Sequence, residues 1–363
     1  MYIGVPAETL NQERRVALTP AGVRELVHAG HSVSVEADAG LGSGITNQDY
    51  EQAGATVVDT AGAWGAELVL KVKEPTPDEF QFLRADQTVF AYLHLAANPR
   101  LVEELVNSGT TAIAYETVQL PDRSLPLLAP MSEIAGRMAA IVGSYHLFSH
   151  QGGSGLLAPG VPGVRPAKFC VIGGGQAGLN AVNQAVAMGA EVTVLDLSLQ
   201  RLRHIDELYR GRVKTVASNS LEVERAVLES DVVIGAVLLP GAKTPRLVSS
   251  ELVQRMRPGS VLVDIAVDQG GVFEDSRPTT HQEPTYTVGE TIFYCVSNMP
   301  GAVPATSTSA LTNATLPYVL KLAKLGIKQA LRADAALGKG LAVAGGKIQA
   351  AEIADLNPEL PRA

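Results

Sequence analysis

Gly173, Gly175 and Gly178 form a G-x-G-x-x-G triplet directly after the apolar stretch Lys168–Ile172, and 179–188 beyond it reads as a helix that Gly189 ends. Such a turn suits a pyrophosphate. The first glycine allows the tight turn off the strand, the second lets backbone approach the phosphates, and the third lets the helix pack closely on the strand. The helix N-terminus then offers free N–H groups and partial positive charge to the anion. Alone the triplet is a weak signal. The next strand, 191–195, strengthens it by ending in Asp196, eighteen residues after Gly178, where a carboxylate accepts hydrogen bonds from a ribose diol and repels a 2′-phosphate. The arrangement points to a dinucleotide and favours NAD over NADP, although Arg201 and Arg203 stand close enough in sequence to serve a 2′-phosphate.

A second set of residues supplies what hydride transfer to or from a small acid requires: cations for a carboxylate and an acid–base group at the reacting atom. Arg15 lies in Glu13-Arg14-Arg15, before the first helix, and Lys73 ends the strand-like run 66–73. Strand C-terminal ends are where open parallel sheets place ligand-binding residues. Lys71 shares a strand face with Lys73, so periodicity does not choose between them, and each cation taken singly also reads as a solvated surface charge. His94 ends the apolar run 88–94; a titrating imidazole at a strand end and a buried structural histidine are both open. Asp268 follows the apolar run 261–267 and precedes Gly270 and Gly271, which suits either an acid–base carboxylate or a turn-forming aspartate. Cys170 and Cys295 sit inside apolar runs and read as small buried side chains.

These groups need a scaffold of alternating strands and helices. Tyr2–Val5 reads as a buried strand, Thr19-Pro20 opens a helix that Gly30 closes, and 31–36 alternates polar and apolar residues as a strand does. Apolar runs at 66–73, 88–94 and 111–115, with a helix over 99–107, continue the rhythm of a parallel α/β sheet. The stretch 133–150 reads as one long interdomain helix, whose Ala135, Gly136, Ala139 and Gly143 permit close packing. The loop 151–166 follows, with five Gly and three Pro, and strands and helices then alternate up to Val296. The mostly apolar helix 307–325 must be buried, and since the second series of strands has ended it is expected to cross back onto the first domain or to lie between the two. Residues after Gly338 read as a variable extension.

Length and composition set the bounds. With 363 residues, 46% of them hydrophobic, the chain can fill two cores, and 35 glycines with 5% aromatics suit doubly wound α/β architecture. The 29 Lys and Arg against 37 Asp and Glu give a net charge of −8 with no basic run, which excludes nucleic acid as an expected partner. Glu8, Glu13, Arg14 and Arg15 interrupt any signal-peptide core, and no uncharged apolar run reaches the length of a membrane span, so the expectation is a soluble cytoplasmic protein with no membrane partner.

Over nearly its full length, from Gly4-Val5-Pro6 to about Leu325, the chain resembles the L-alanine dehydrogenases, which share a family with the N-terminal part of the transhydrogenases. The resemblance rests on Glu13-Arg14-Arg15-Val16-Ala17, Lys71-Val72-Lys73-Glu74-Pro75, Leu93-His94-Leu95-Ala96, Ala114-Tyr115-Glu116-Thr117-Val118, Pro130-Met131-Ser132-Glu133, the glycine triplet, the run from Val263 to Gly271, Ser276-Arg277-Pro278-Thr279-Thr280 and Ser309-Ala310-Leu311-Thr312-Asn313-Ala314. It implies two Rossmann-like domains joined by long helices, with an NAD-binding domain, 131–299, inserted into a discontinuous substrate domain, 1–130 and 300–363. It further implies that Arg15 and Lys73 hold the substrate carboxylate and carbonyl and that His94 and Asp268 are the acid–base pair. NAD contacts are implied at Ser132, Ala177, Asp196, Arg201, Ser218, Val237, Leu238, Ile265, Ala266, Val267, Asp268, Arg277, Val296, Ser297, Asn298 and Met299. The implied reaction is reversible oxidative deamination of L-alanine to pyruvate and ammonia in a homo-hexamer. Some members carry a Glu and a His near the end of the returning helix for a divalent ion. Lys321 and Leu325 stand there in this chain, so no metal is expected. The rival within the family is the nucleotide-binding subunit of a proton-translocating transhydrogenase, and a nucleotide-sensing regulator without turnover is the third reading.

Overall fold

Short apolar runs in the first 115 residues become parallel strands in a computed structural model that describes residues 1–237 and 244–363. The chain divides into two units, Met1–Met131 with Val303–Ala363, and Ser132–Ala302. In the first unit β1 (Tyr2–Val5), β2 (Ser32–Glu36), β3 (Thr56–Val58), β4 (Leu68–Leu70), β5 (Thr88–Ala91) and β6 (Thr111–Ala114) lie in the order β6-β5-β4-β1-β2-β3. Every residue of β4 and β5 is buried, as strands covered on both faces should be. The helix Pro20–His28 starts where its caps require: the Thr19 side chain accepts the Gly22 N–H, and Pro20 occupies the first turn. Gly30 ends it at φ +85°, a left-handed conformation that a side chain would strain.

The second unit contains β7 (Lys168–Ile172), β8 (Glu191–Asp196), β9 (Val213–Ala217), β10 (Val232–Gly235), β11 (Val261–Asp264), β12 (Thr285–Val288) and β13 (Thr291–Tyr294), in the order β12-β13-β11-β10-β7-β8-β9. All pairings are parallel except the edge hairpin of β12 and β13, turned through Gly289 at φ +59°. From β7 the order runs to β8 and β9 on one side and to β10 and β11 on the other. That reversal is the switch point at which open α/β sheets bind ligands. A core of Phe169, Val171, Val182, Ala185, Val194, Ile234 and Val263 lies on one side of this sheet, and Cys170, Ile172, Val233, Leu262 and Phe293 belong to another cluster, so both cysteines are buried and reduced.

The helix expected over 133–150 instead runs Ala129–His146. It begins earlier because Pro130 is tolerated in a first helical turn. It stops earlier because the chain folds back over its end: a Cβ on Gly153 would lie 2.1 Å from the His146 carbonyl oxygen. Within the second unit its glycines allow the close approach the sequence implied, Gly136 against the Ala177 carbonyl and Gly143 against Val232.

The returning helix is Pro304–Leu325, with Leu311, Thr315, Val319 and Leu322 buried in the first unit. Thr308 Oγ1 accepts the Val16 N–H at 3.0 Å, tying it to the loop just beyond Arg15. Residues after Gly338, read as a variable extension, are built into the first unit. They form a hairpin of β14 (Leu341–Ala344) and β15 (Lys347–Ile348), whose β14 pairs antiparallel with β6 and completes an eight-stranded sheet. Gly345 and Gly346, both at positive φ, make the tight turn, and Val343, Ile348 and Ile353 join the core.

Candidate active site

In the first unit four adjacent strands, β6, β5, β4 and β1, deliver charged residues past their C-terminal ends. Glu8 and Arg15 follow β1, Lys73 and Glu74 follow β4, His94 follows β5 and Glu116 follows β6. The strand-like runs stop short of Lys73 and His94 because glutamates take over the backbone donors that a ladder would use. The Val72 and Lys73 N–H groups donate to Glu8 at 2.6 and 3.3 Å instead of extending β4. The Leu93 and His94 N–H groups donate to Glu116 at 3.1 and 2.7 Å. The Arg15 N–H donates to Glu13 at 3.1 Å. Arg15, Lys73 and His94 thus each have their main chain held by a carboxylate, and His94 adopts φ +47°.

The sequence left Lys71 and Lys73 equivalent; burial separates them. The Lys71 side chain is fully buried, 2.9 Å from Glu79 Oε1 and 3.3 Å from Glu8 Oε2, so it is a structural ion pair, whereas Lys73 remains half-buried. Burial pulls the Lys71 ammonium down, but the charges of Glu8 and Glu79 outweigh it and hold it above its ordinary value. Arg15 is buried as well; its guanidinium is paired with Glu13 and donates to the Met131 sulfur at 3.1 Å. His94 is exposed, and its Nδ1 lies 3.0 Å from Glu74 Oε2.

In the second unit the loops after β7, β8, β9, β10, β11 and β13 carry the residues expected at a dinucleotide. Gly173 has φ +98° and lies against the Ala236 carbonyl and Val237. A Cβ on Gly178 would fall 1.7 Å from the Gly173 carbonyl oxygen, so the turn closes only without a side chain. Around Gly175 the nearest atom is Arg201 Nη1, 3.9 Å from where a Cβ would be, which leaves room for a phosphate against the backbone. The helix Gln176–Ala187 starts at Gly175 with no side-chain cap, leaving its first-turn donors for an anion. Asp196 accepts the Gly174 and Ser198 N–H groups at 2.7 Å each and sits 3.3 Å from Arg201 Nη1. Its oxygens keep lone pairs for a ribose diol. These residues fit an adenine dinucleotide.

Ala177 lies in the first turn of that helix. Ser132 lies one helical turn before Gly136, whose Cα packs on the Ala177 carbonyl, which puts it on the same face. Ser218 follows β9, Val237 follows β10, and Ile265, Ala266, Val267 and Asp268 follow β11. Val296, Ser297, Asn298 and Met299 follow β13. Asp268 is exposed and accepts from Ser297 Oγ at 2.6 Å, joining the loops after β11 and β13. The Arg277 guanidinium lies 4.0 Å from the centre of the Tyr286 ring, and its main-chain N–H donates to the Tyr286 hydroxyl at 3.0 Å. Leu238 lies outside the described residues. The sequence reading missed Asp264, a fully buried carboxylate that accepts from Ala266 N, Val272 N and Ser276 Oγ; burial raises it, against those hydrogen bonds. It also assigned no role to Glu8, Glu13, Glu74 or Glu116, although the last three lie within motifs that carry the family resemblance.

Residues 4–135 match the family described as alanine dehydrogenase/PNT, N-terminal domain, and residues 139–351 match alanine dehydrogenase/PNT, C-terminal domain. The chain belongs to the alanine dehydrogenase/PNT family. Within it, an alanine dehydrogenase of Mycolicibacterium smegmatis is 57% identical over 98% of this chain and 96% of that protein. A solved L-alanine dehydrogenase superposes with a TM-score of 0.97 at 52% identity, covering 99% of both chains. A transhydrogenase from Sinorhizobium meliloti is more distant, with a TM-score of 0.83 at 27% identity over 96% of this chain and 99% of that one. Among the described residues no helix is long and apolar enough to cross a membrane. Near the end of the returning helix, Lys321 is paired with Asp334 and lies 6.0 Å from the centre of the Tyr318 ring.

Proposed function

We propose that this chain catalyses the NAD-dependent, reversible oxidative deamination of L-alanine to pyruvate and ammonia. One observation carries the reading: Arg15, Lys73 and His94 stand past the ends of three adjacent strands in a chain 57% identical to an alanine dehydrogenase. The Arg15 guanidinium holds the substrate carboxylate, and the Lys73 ammonium lies at the oxygen of pyruvate. The bound dinucleotide supplies the acceptor for the hydride that leaves the alanine α-carbon. His94, working with Asp268, takes a proton from water as it adds to the iminium carbon and returns one to the departing nitrogen. Orientation of the carboxylate by fixed charges converts a chance encounter into a positioned reaction.

The dinucleotide is assigned to 131–299, against Gly173, Gly175, Ala177 and Gly178 for the pyrophosphate and Asp196 for the ribose. Ser132, Arg201, Ser218, Val237, Arg277 and the loops carrying 265–268 and 296–299 complete the contacts. The substrate is assigned to 1–130 with 300–363. Asp196, largely buried and bound to the glycine turn, supports NAD over NADP, because a 2′-phosphate would meet its charge. A cytoplasmic homo-hexamer is proposed on the family resemblance.

The test is NADH formation by the purified chain from L-alanine and NAD, with pyruvate and ammonia run in reverse. His94→Ala is expected to lower turnover at least about a hundredfold, the usual scale of a general acid–base group. No turnover by the chain alone, with NADH still bound, would instead favour a transhydrogenase-like subunit.

A further inference from the structure

His94 is the proposed proton carrier, and three carboxyl-bearing or hydroxyl-bearing neighbours surround it in the first unit. Glu116 is committed to the main chain, accepting from the Leu93 and His94 N–H groups. The Tyr92 ring lies 6.2 Å from the imidazole centre, but its hydroxyl donates to the Leu127 carbonyl. Of the three, Glu74 alone meets the ring itself: its Oε2 is 3.0 Å from Nδ1, and its side chain is 20% exposed against 44% for the imidazole. Among the described residues Nε2 has no hydrogen-bond partner.

We propose that Glu74 is a positioning residue for this reaction, accepting the Nδ1–H of His94 so that Nε2 is the nitrogen left to exchange protons with substrate and water. The inference rests on the reading of His94 as the proton carrier. In a neutral imidazole the hydrogen bond at one nitrogen sets which nitrogen carries the proton. A carboxylate placed there also stabilises the imidazolium without itself taking the proton, as the aspartate does in serine-protease triads. Glu74 is suited to remain ionised there. Burial pulls its carboxyl up, but the hydrogen bond and charge of His94 and the charge of Lys73 more than offset this and hold it below the ordinary value. Both partners belong to one unit and come from adjacent strand ends, so the pairing is built into a single sheet.

Glu74 also neighbours Lys73, and a carboxylate that merely balanced that cation would act on substrate affinity. A double-mutant cycle in the full-length protein separates the two roles. Glu74→Ala is expected to lower kcat for alanine oxidation at least about tenfold while the KM for alanine stays within about twofold. Glu74→Gln keeps an acceptor oxygen without the charge, is isosteric, and is expected to fall between wild type and Glu74→Ala. In a His94→Ala background the further loss from either Glu74 substitution should vanish. An equal fold-loss in both backgrounds, or a change confined to KM, would overturn the proposal. Wild-type turnover by His94→Ala would instead remove the reading of His94 on which it stands.

Discussion

Lys71 and Lys73 stand two residues apart in one motif, yet one is buried in an ion pair and the other is only half-buried. The difference is made by Glu8 and Glu79, which enclose the Lys71 ammonium in a buried pair of contacts. Removing it with Lys71→Met leaves two buried carboxylates without their cation, and the expected cost is about 3–5 kcal/mol, measured by urea unfolding. The pH dependence has a definite sign. A lysine held above its ordinary 10.5 in the folded state gives stability that is fully present below that value and is lost as pH rises through the higher folded one. Unfolding free energies followed upward from pH 10.5 should therefore fall further for wild type than for Lys71→Met. Residue types and strand-end positions were legible in sequence; the partners were not. Glu116 reaches the His94 N–H across 22 residues and Glu74 reaches its imidazole across 20, and no local pattern encodes such pairings.

The glycine turn was the most legible element because its requirements are local: a left-handed φ at Gly173, open space at Gly175 and a close approach at Gly178. The last two positions should respond differently to substitution. Gly175→Ala places a methyl where no protein atom lies within 3.9 Å, so the protein should fold normally while NADH binding, read by titration calorimetry, weakens at least about tenfold through collision with the phosphates. Gly178→Ala puts a methyl 1.7 Å from the Gly173 carbonyl and must displace the helix, so both thermal stability and NADH binding should fall, by about 1–3 kcal/mol in stability. Less legible was the hairpin of β14 and β15. Its apolar run and paired glycines are a strand signal, but its position at the end of the chain, after a helix, concealed that it pairs with β6, more than two hundred residues earlier. The long helix was recognised as an element and misplaced by four residues at each end, since Gly153 folding over its last turn is a tertiary event.

At the scale of the molecule, the division into units follows from where the chain leaves and rejoins the first sheet. Ser132–Ala302 is continuous and carries its own seven-stranded sheet and buried clusters, whereas the other unit needs both chain ends. A fragment spanning 132–302 is therefore expected to fold cooperatively and bind NADH without oxidising alanine; circular dichroism melting and NADH fluorescence check this, and an unfolded fragment would refute it. The amino-acid sequence by itself determined the strand–turn–helix order, the glycine turn with its acidic partner Asp196, and the short roll of residues able to do chemistry, because side-chain period, capping and the missing Cβ of glycine act within a few residues. The tertiary structure alone decided which lysine is buried, which glutamate holds the main chain at Arg15, Lys73 and His94, and where the final strands pair. Those outcomes depend on desolvation and hydrogen bonding between segments far apart in the chain, and neither has a value until the chain has folded.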